Sequence, residues 1–153
     1  MNRMMLAGLW LAALAAPAAA QNMNADPNYG ETTLNAGFDR DPRVVSLRAG
    51  GNIDASQING CRGFITSAPD YRVHYNSGSF PLYISVAADS DTTLVVNAPD
   101  GRWYCDDDGG VKGLNPSLRF DRPQSGRYEI WVGTYSSGST QPADLHISEL
   151  GSQ

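Results

Sequence analysis

Tyr71-Arg72-Val73-His74-Tyr75 places a large apolar side chain at every second position, with an arginine and a histidine between them. A period of two puts Tyr71, Val73 and Tyr75 on one face of an extended strand and Arg72 and His74 on the other. The same grammar recurs at Tyr128, Ile130 and Val132 against Glu129 and Trp131, and at Leu145 and Ile147 against His146 and Ser148. Shorter runs of strand composition are Thr32 to Phe38, Val44 to Arg48 (Val45 and Leu47 inward), Cys61 to Ile65, Leu82 to Val86, Thr93 to Val96, Arg102 to Cys105 and Leu118 to Phe120. Clusters of Gly, Pro, Asn, Asp and Ser fall between these about ten runs, roughly every eight to twelve residues, and leave no room for an ordinary helix. The pattern predicts an all-β, two-layer antiparallel β-sandwich, jelly-roll-like.

The first twenty residues read as a signal peptide. Arg3 supplies a short positive region, Leu6 to Leu14 an apolar run too short to span a bilayer, and Ala18-Ala19-Ala20 a small-residue cleavage site. Residues 21–30 are polar and aperiodic, the composition of a flexible leader, and residues 31–150 form the single sandwich domain. A periplasmic or secreted location with no membrane span follows. Loss of Arg3 leaves ten basic and sixteen acidic residues, a balance of −6. Such a surface has no footprint for nucleic acid. Cys61 and Cys105 are the only cysteines, and in an oxidising compartment they are expected to pair.

Two stretches echo each other. Phe64 to Arg72 aligns with Leu94 to Arg102, and Ser77 to Ile84 aligns with Ser125 to Val132. The unequal offsets suggest either a duplication with an insertion around the acidic triplet Asp106-Asp107-Asp108 or shared hairpin grammar.

That triplet is the most charged segment of the chain. Asp106, Asp107 and Asp108, joined by Asp89 and Asp91, offer oxygens suited to calcium; the alternative is a solvated loop that keeps a sheet edge charged. The chain carries no EF-hand pattern. The flat side chains Trp103, Tyr104, Trp131 and Tyr135 are candidates for binding an extracellular polymer or protein, or else for packing beneath loops. Trp131 alternates with Tyr128, Ile130 and Val132, so it belongs on the opposite face of its strand. His74 and His146 also alternate with apolar neighbours and face away from the buried side, and no G-x-S-x-G stretch is present. The expected catalytic set is therefore empty.

Asp91 to Gly101, followed by Pro123 to Tyr135, resembles the bacterial pre-peptidase C-terminal domain, with its Asp-x-x-Leu strand start, its P-x-x-G-x-Y turn and a closing strand such as Ala143 to Ser148. The resemblance covers roughly residues 80 to 149. It implies a jelly-roll-like sandwich that accompanies secreted peptidases without being catalytic, some members binding calcium or an extracellular polymer. The expected function is a non-enzymatic binding or accessory module, possible calcium at the Asp-rich loop being its one cofactor. A carbohydrate- or protein-binding module and a peptidase-associated protein are the alternatives.

Overall fold

A computed structural model describes residues 20–153; the expected signal sequence falls almost wholly outside the described residues. Eleven strands are present: β1 Glu31–Asn35, β2 Arg43–Ala49, β3 Ile53–Asp54, β4 Phe64–Ile65, β5 Tyr71–Asn76, β6 Leu82–Ala87, β7 Thr92–Asn97, β8 Trp103–Asp106, β9 Ser117–Phe120, β10 Gly126–Thr134 and β11 Gln141–Ser148. Helical structure among the described residues is one 3-10 turn at Ala55–Gln57, where the Asp54 side chain accepts the N–H of Ser56.

The strands form two sheets. One is four-stranded, in the order β2-β11-β6-β9, and antiparallel throughout. The other is seven-stranded and built around β10, which pairs with β5 and β4 along one edge and with β7 along the other; β1 lies outside β5, β3 outside β4 and β8 outside β7. The β1–β5 pair is parallel, an exception to the expected antiparallel pattern. Between the layers lie the alternating residues the sequence singled out: Tyr71, Val73, Tyr75, Tyr128, Ile130 and Val132 from one sheet face Leu47, Ile84, Leu145 and Ile147 from the other. Burying each such side chain contributes about 1.5–3 kcal/mol, and this layer holds the sandwich closed.

Asp70 fills a gap in the ladder. The register of β5 on β10 ends at Tyr71 opposite Ile130, and β4 begins only at Phe64 opposite Thr134. The N–H of Val132, between them, donates to the Asp70 carboxylate at 2.8 Å. Gly133 lies beside this junction, where an added Cβ would stand 2.8 Å from the Phe64 carbonyl oxygen. Only glycine lets β4 and β7 close on β10 from both sides there.

The outer face of the larger sheet carries a second core. Ile53, Ala55, Cys61, Ile65, Val95 and Trp131 are buried together, with Met23, Ile58 and Trp103 packed against them. Trp131 is fully buried, its ring 5.4 Å from that of Trp103. Residues 21–30 also lie on this sheet, in contrast to the flexible leader expected from their polarity. Asn22 and Asn28 donate main-chain bonds to Ser67 and Pro69, and Tyr29 donates to Asp70. Met23 and Ala25 turn their carbonyls onto the Arg72 guanidinium at 3.2 and 2.9 Å.

The second of the sequence echoes does not occupy equivalent places. Ser77 to Ile84 leads into β6 of the four-stranded sheet, whereas Ser125 to Val132 forms β10 at the centre of the larger one. The similarity is that of strands and turns in general, and the fold shows no repeat at those positions.

Candidate functional site

The acidic stretch begins as a strand and ends as a closed loop. Cys105 in β8 is bonded to Cys61, with the Cα atoms 5.2 Å apart, which ties β8 to the segment covering Trp131. Asp106 follows, and its Oδ2 accepts from the N–H of Gly109 at 2.7 Å and of Ser117 at 2.8 Å. These bonds fold the loop back toward β9, so the Asp106 carboxylate is spent on main-chain donors. The loop is tied further along, where Gly110 donates to the Asn115 carbonyl at 2.8 Å and Val111 to the Gln153 carbonyl at 3.1 Å. Asn115 is buried beneath it, receiving a bond from the Thr92 hydroxyl and giving one to the Ala88 carbonyl.

The five aspartates of the expected calcium set separate into different environments. Asp89 lines a groove of about 390 Å³ with Lys112, Ser46, Ala87 and Asp144. Asp107 stands 3.9 Å from the Arg62 guanidinium. Asp91 lies on the wall of a cleft of about 220 Å³ with Ser90, Thr134, Ser136, Ser139 and Gln141. Burial first, and then the charges of Asp108 and Asp107, push its carboxyl above the usual range. Its Oδ1 is buried without a hydrogen-bond partner. Among the described residues, no three His, Cys, Asp or Glu side chains are arranged to hold a metal ion.

The four aromatic candidates do not form a platform. Trp131 does lie on the opposite face from Tyr128, Ile130 and Val132, as its position in the strand requires, but the second core covers it; it is removed from the set of ligand-binding residues. Trp103 packs on it. Tyr104 turns toward the other end of β8, where its hydroxyl donates to Asp100 at 2.7 Å and its ring meets Phe120. Tyr135 alone of the four is well exposed, at 43%.

Among polar groups, sequence reasoning missed the pair under the N-terminal segment. Arg72 Nε stands 2.6 Å from Glu129 Oε1, and Arg127 reaches the same oxygen at 2.8 Å. The alternation put Arg72 and Glu129 on the outer face, and their facing positions on adjacent strands were the available signal. Asp70 is buried as deeply as Glu129, and that burial pushes its carboxyl up to about 6 against the bonds from Val132, Asn28 and Thr66. His74 is half-buried and meets Glu31 at 3.3 Å. His146 is half-buried, which lowers its pKa, and its Nδ1 has no partner.

No family model matches the chain. No curated protein matches it either. Among solved structures it is similar to PliG of Aeromonas hydrophila, described as a periplasmic lysozyme inhibitor of g-type lysozyme, with 18% identity, 81% of this chain and 98% of that one covered, and a TM-score of 0.38. No described helix is long and apolar enough to cross a membrane.

Proposed function

We propose that the protein is a non-enzymatic, exported module that binds another protein through the loop between β8 and β9. The observation that carries this is the presentation of Val111 and Leu114, which stand 77% and 57% exposed on a backbone fixed by Asp106, Asn115 and Gln153. Exposed apolar side chains on an ordered loop gain by burial against a partner, with little further ordering to offset that gain. Asp107 and Asp108 share the loop, so the complementary surface is apolar at its centre and basic around it. Three of the polar groups with chemical potential are engaged elsewhere: Asp70 in the sheet, Glu129 with two arginines, His74 with Glu31. The resemblance to the pre-peptidase C-terminal domain belongs to the same reading, since an accessory domain acts by holding something else.

The test places a photo-crosslinking benzoylphenylalanine at Val111 and, as a control, at Val44 in the exported protein. A discrete protein adduct is expected at position 111, diminished by Leu114→Asp and by raised salt. No adduct, or the same adduct from both positions, refutes the reading.

A second reading, calcium at Asp91 with a shell completed by main-chain oxygens and water rather than by further acidic side chains, is favoured by the buried, unpartnered Oδ1 of Asp91. Calcium at about 1 mM, the weak extracellular range, should then raise the melting midpoint relative to EDTA in the parent and not in Asp91→Asn. Identical midpoints in the parent would end this reading.

A further inference from the structure

We propose that the cleft between the N-terminal segment and the β1–β2 connection binds a carboxylate-bearing saccharide, a uronate. This site shares no residue with the β8–β9 loop and goes beyond the protein-binding reading. The cleft has a volume of about 350 Å³ and is lined by Tyr29, Arg40, Pro42, Arg43, Val44 and Tyr71, among others. That size lies at the lower end of the roughly 300–1,000 Å³ typical of small-ligand sites.

Its charge is the first argument. The chain is acidic overall, yet Arg40 and Arg43 both line the cleft, and neither forms an ion pair among the described residues. The acids beside them in sequence are not among its lining residues. Asp41 instead accepts the N–H of Glu149 at 2.7 Å. Two arginines without ion pairs on the wall of one concavity suit a carboxylate, which a guanidinium can grip through paired N–H donors.

Its aromatic wall is the second. Tyr29 is 39% exposed, and its hydroxyl accepts the N–H of Arg48 at 3.0 Å, which fixes one edge of the ring while leaving surface uncovered. Tyr71 is almost wholly buried and lines the same cleft from β5. A ring held in this way offers a flat face to the C–H side of a sugar at little ordering cost. Arg40 is also the one non-glycine residue with positive φ among the described residues, at 59°. A bulky residue in that conformation is disfavoured unless its surroundings hold it.

The anion accounts for the arginines and the sugar ring for the tyrosine; a bare phosphate uses only the first. The experiment titrates isotope-labelled mature protein with a galacturonate trimer, a neutral galactose trimer, inorganic phosphate and an acidic tripeptide, following amide resonances. Shifts around Tyr29, Arg40, Arg43 and Tyr71 are expected with the galacturonate trimer, with binding about tenfold or more weaker for the other three. Arg43→Ala and Arg40→Gly should each weaken it by about the same factor; glycine accepts the backbone conformation at position 40, and unchanged melting midpoints keep loss of binding separate from loss of fold. Tyr29→Phe retains the ring face and should keep most of the affinity, whereas Tyr29→Ala should not. Absence of shifts with millimolar galacturonate, equal binding of phosphate, the tripeptide or the neutral trimer, or affinity untouched by the arginine variants overturns the proposal.

Discussion

The two sheets share a sandwich core, but their outer faces differ. On the seven-stranded sheet the outward residues Val95 and Trp131 are buried under the segment Ile53–Gly63, and Arg72 and Glu129 under the N-terminal residues. On the four-stranded sheet the C-terminal residues cover Ser85 and Ser148. Its outward residues toward β2 and β9 meet water: Val44 is 46% exposed, Ser46 bonds Asp144 in the open, and Arg119 lies over the Tyr83 ring at 5.5 Å. Period two determines which face a side chain takes; the chain beyond the strand determines whether that face is covered. Equivalent substitutions on the two faces should therefore have unequal effects.

The largest expected effect is on the covalent fastening of that cover. Cys61 and Cys105 close a loop with a sequence separation of 44, for which chain entropy gives about 4 kcal/mol. Replacing both with alanine should lower the stability by about that amount, read from urea unfolding, and should raise Trp131 exposure to quenchers before global unfolding. A loss below about 1 kcal/mol would mean that the second core holds itself in place without the bond.

Next comes one arginine from each face. Arg72→Leu leaves the buried Glu129 carboxylate, whose Oε2 already lacks a partner, to the more exposed Arg127 alone, and should cost about 1.5–3 kcal/mol. Arg119→Leu removes a surface ion pair with Asp121 and a stacking contact, and should change stability by no more than about 0.5–1 kcal/mol. Similar losses from the two would refute the distinction between covered and open faces.

How much of this was legible follows the same division. The strand runs and the inward set Tyr71, Val73, Tyr75, Tyr128, Ile130 and Val132 were readable because alternation is local and each residue reports its own face. The position of Trp131 on the opposite face was readable too. Its cover was not: Ile53, Ala55 and Cys61 lie some seventy positions away in a stretch without regular alternation. The N-terminal residues were misread because their attachment uses main-chain groups, and carbonyls such as those of Met23 and Ala25 leave no trace in side-chain composition. In the acidic loop, the run of three carboxylates suggested that Asp106, Asp107 and Asp108 would act together with Asp89 and Asp91. Asp106 instead spends its carboxylate on the main-chain N–H groups of Gly109 and Ser117, while Asp89, Asp91 and Asp107 separate to different surroundings.

The finest comparison sets two titrating groups against each other. Asp70, under the covered face, has a carboxyl raised to about 6 by burial, whereas His146, on the open face, has its pKa lowered by partial burial, with Asp144 opposing. Their contributions to stability run in opposite directions. The folded protein holds a proton on Asp70 at pH values where the unfolded chain has released it, so this term grows as pH falls through 6 toward the unfolded value of 3.8. The unfolded chain protonates His146 first, so that term is lost as pH falls below 6.5. Glu31, Asp54 and Asp100 have lowered pKa values and weaken the fold only as pH falls through their unfolded range of 3.8 to 4.5 and below, which leaves the interval from pH 7 to 5 largely clear of them. Over that interval the parent should gain roughly 1 kcal/mol relative to Asp70→Asn, measured as the difference between their unfolding free energies at each pH. His146→Asn should shift the profile in the opposite direction, making the parent lose stability relative to the variant as pH falls. Parallel profiles for the parent and Asp70→Asn would mean that water reaches the Asp70 carboxylate through the gap between β4 and β5, and that the covering of this face stops short of the ladder break.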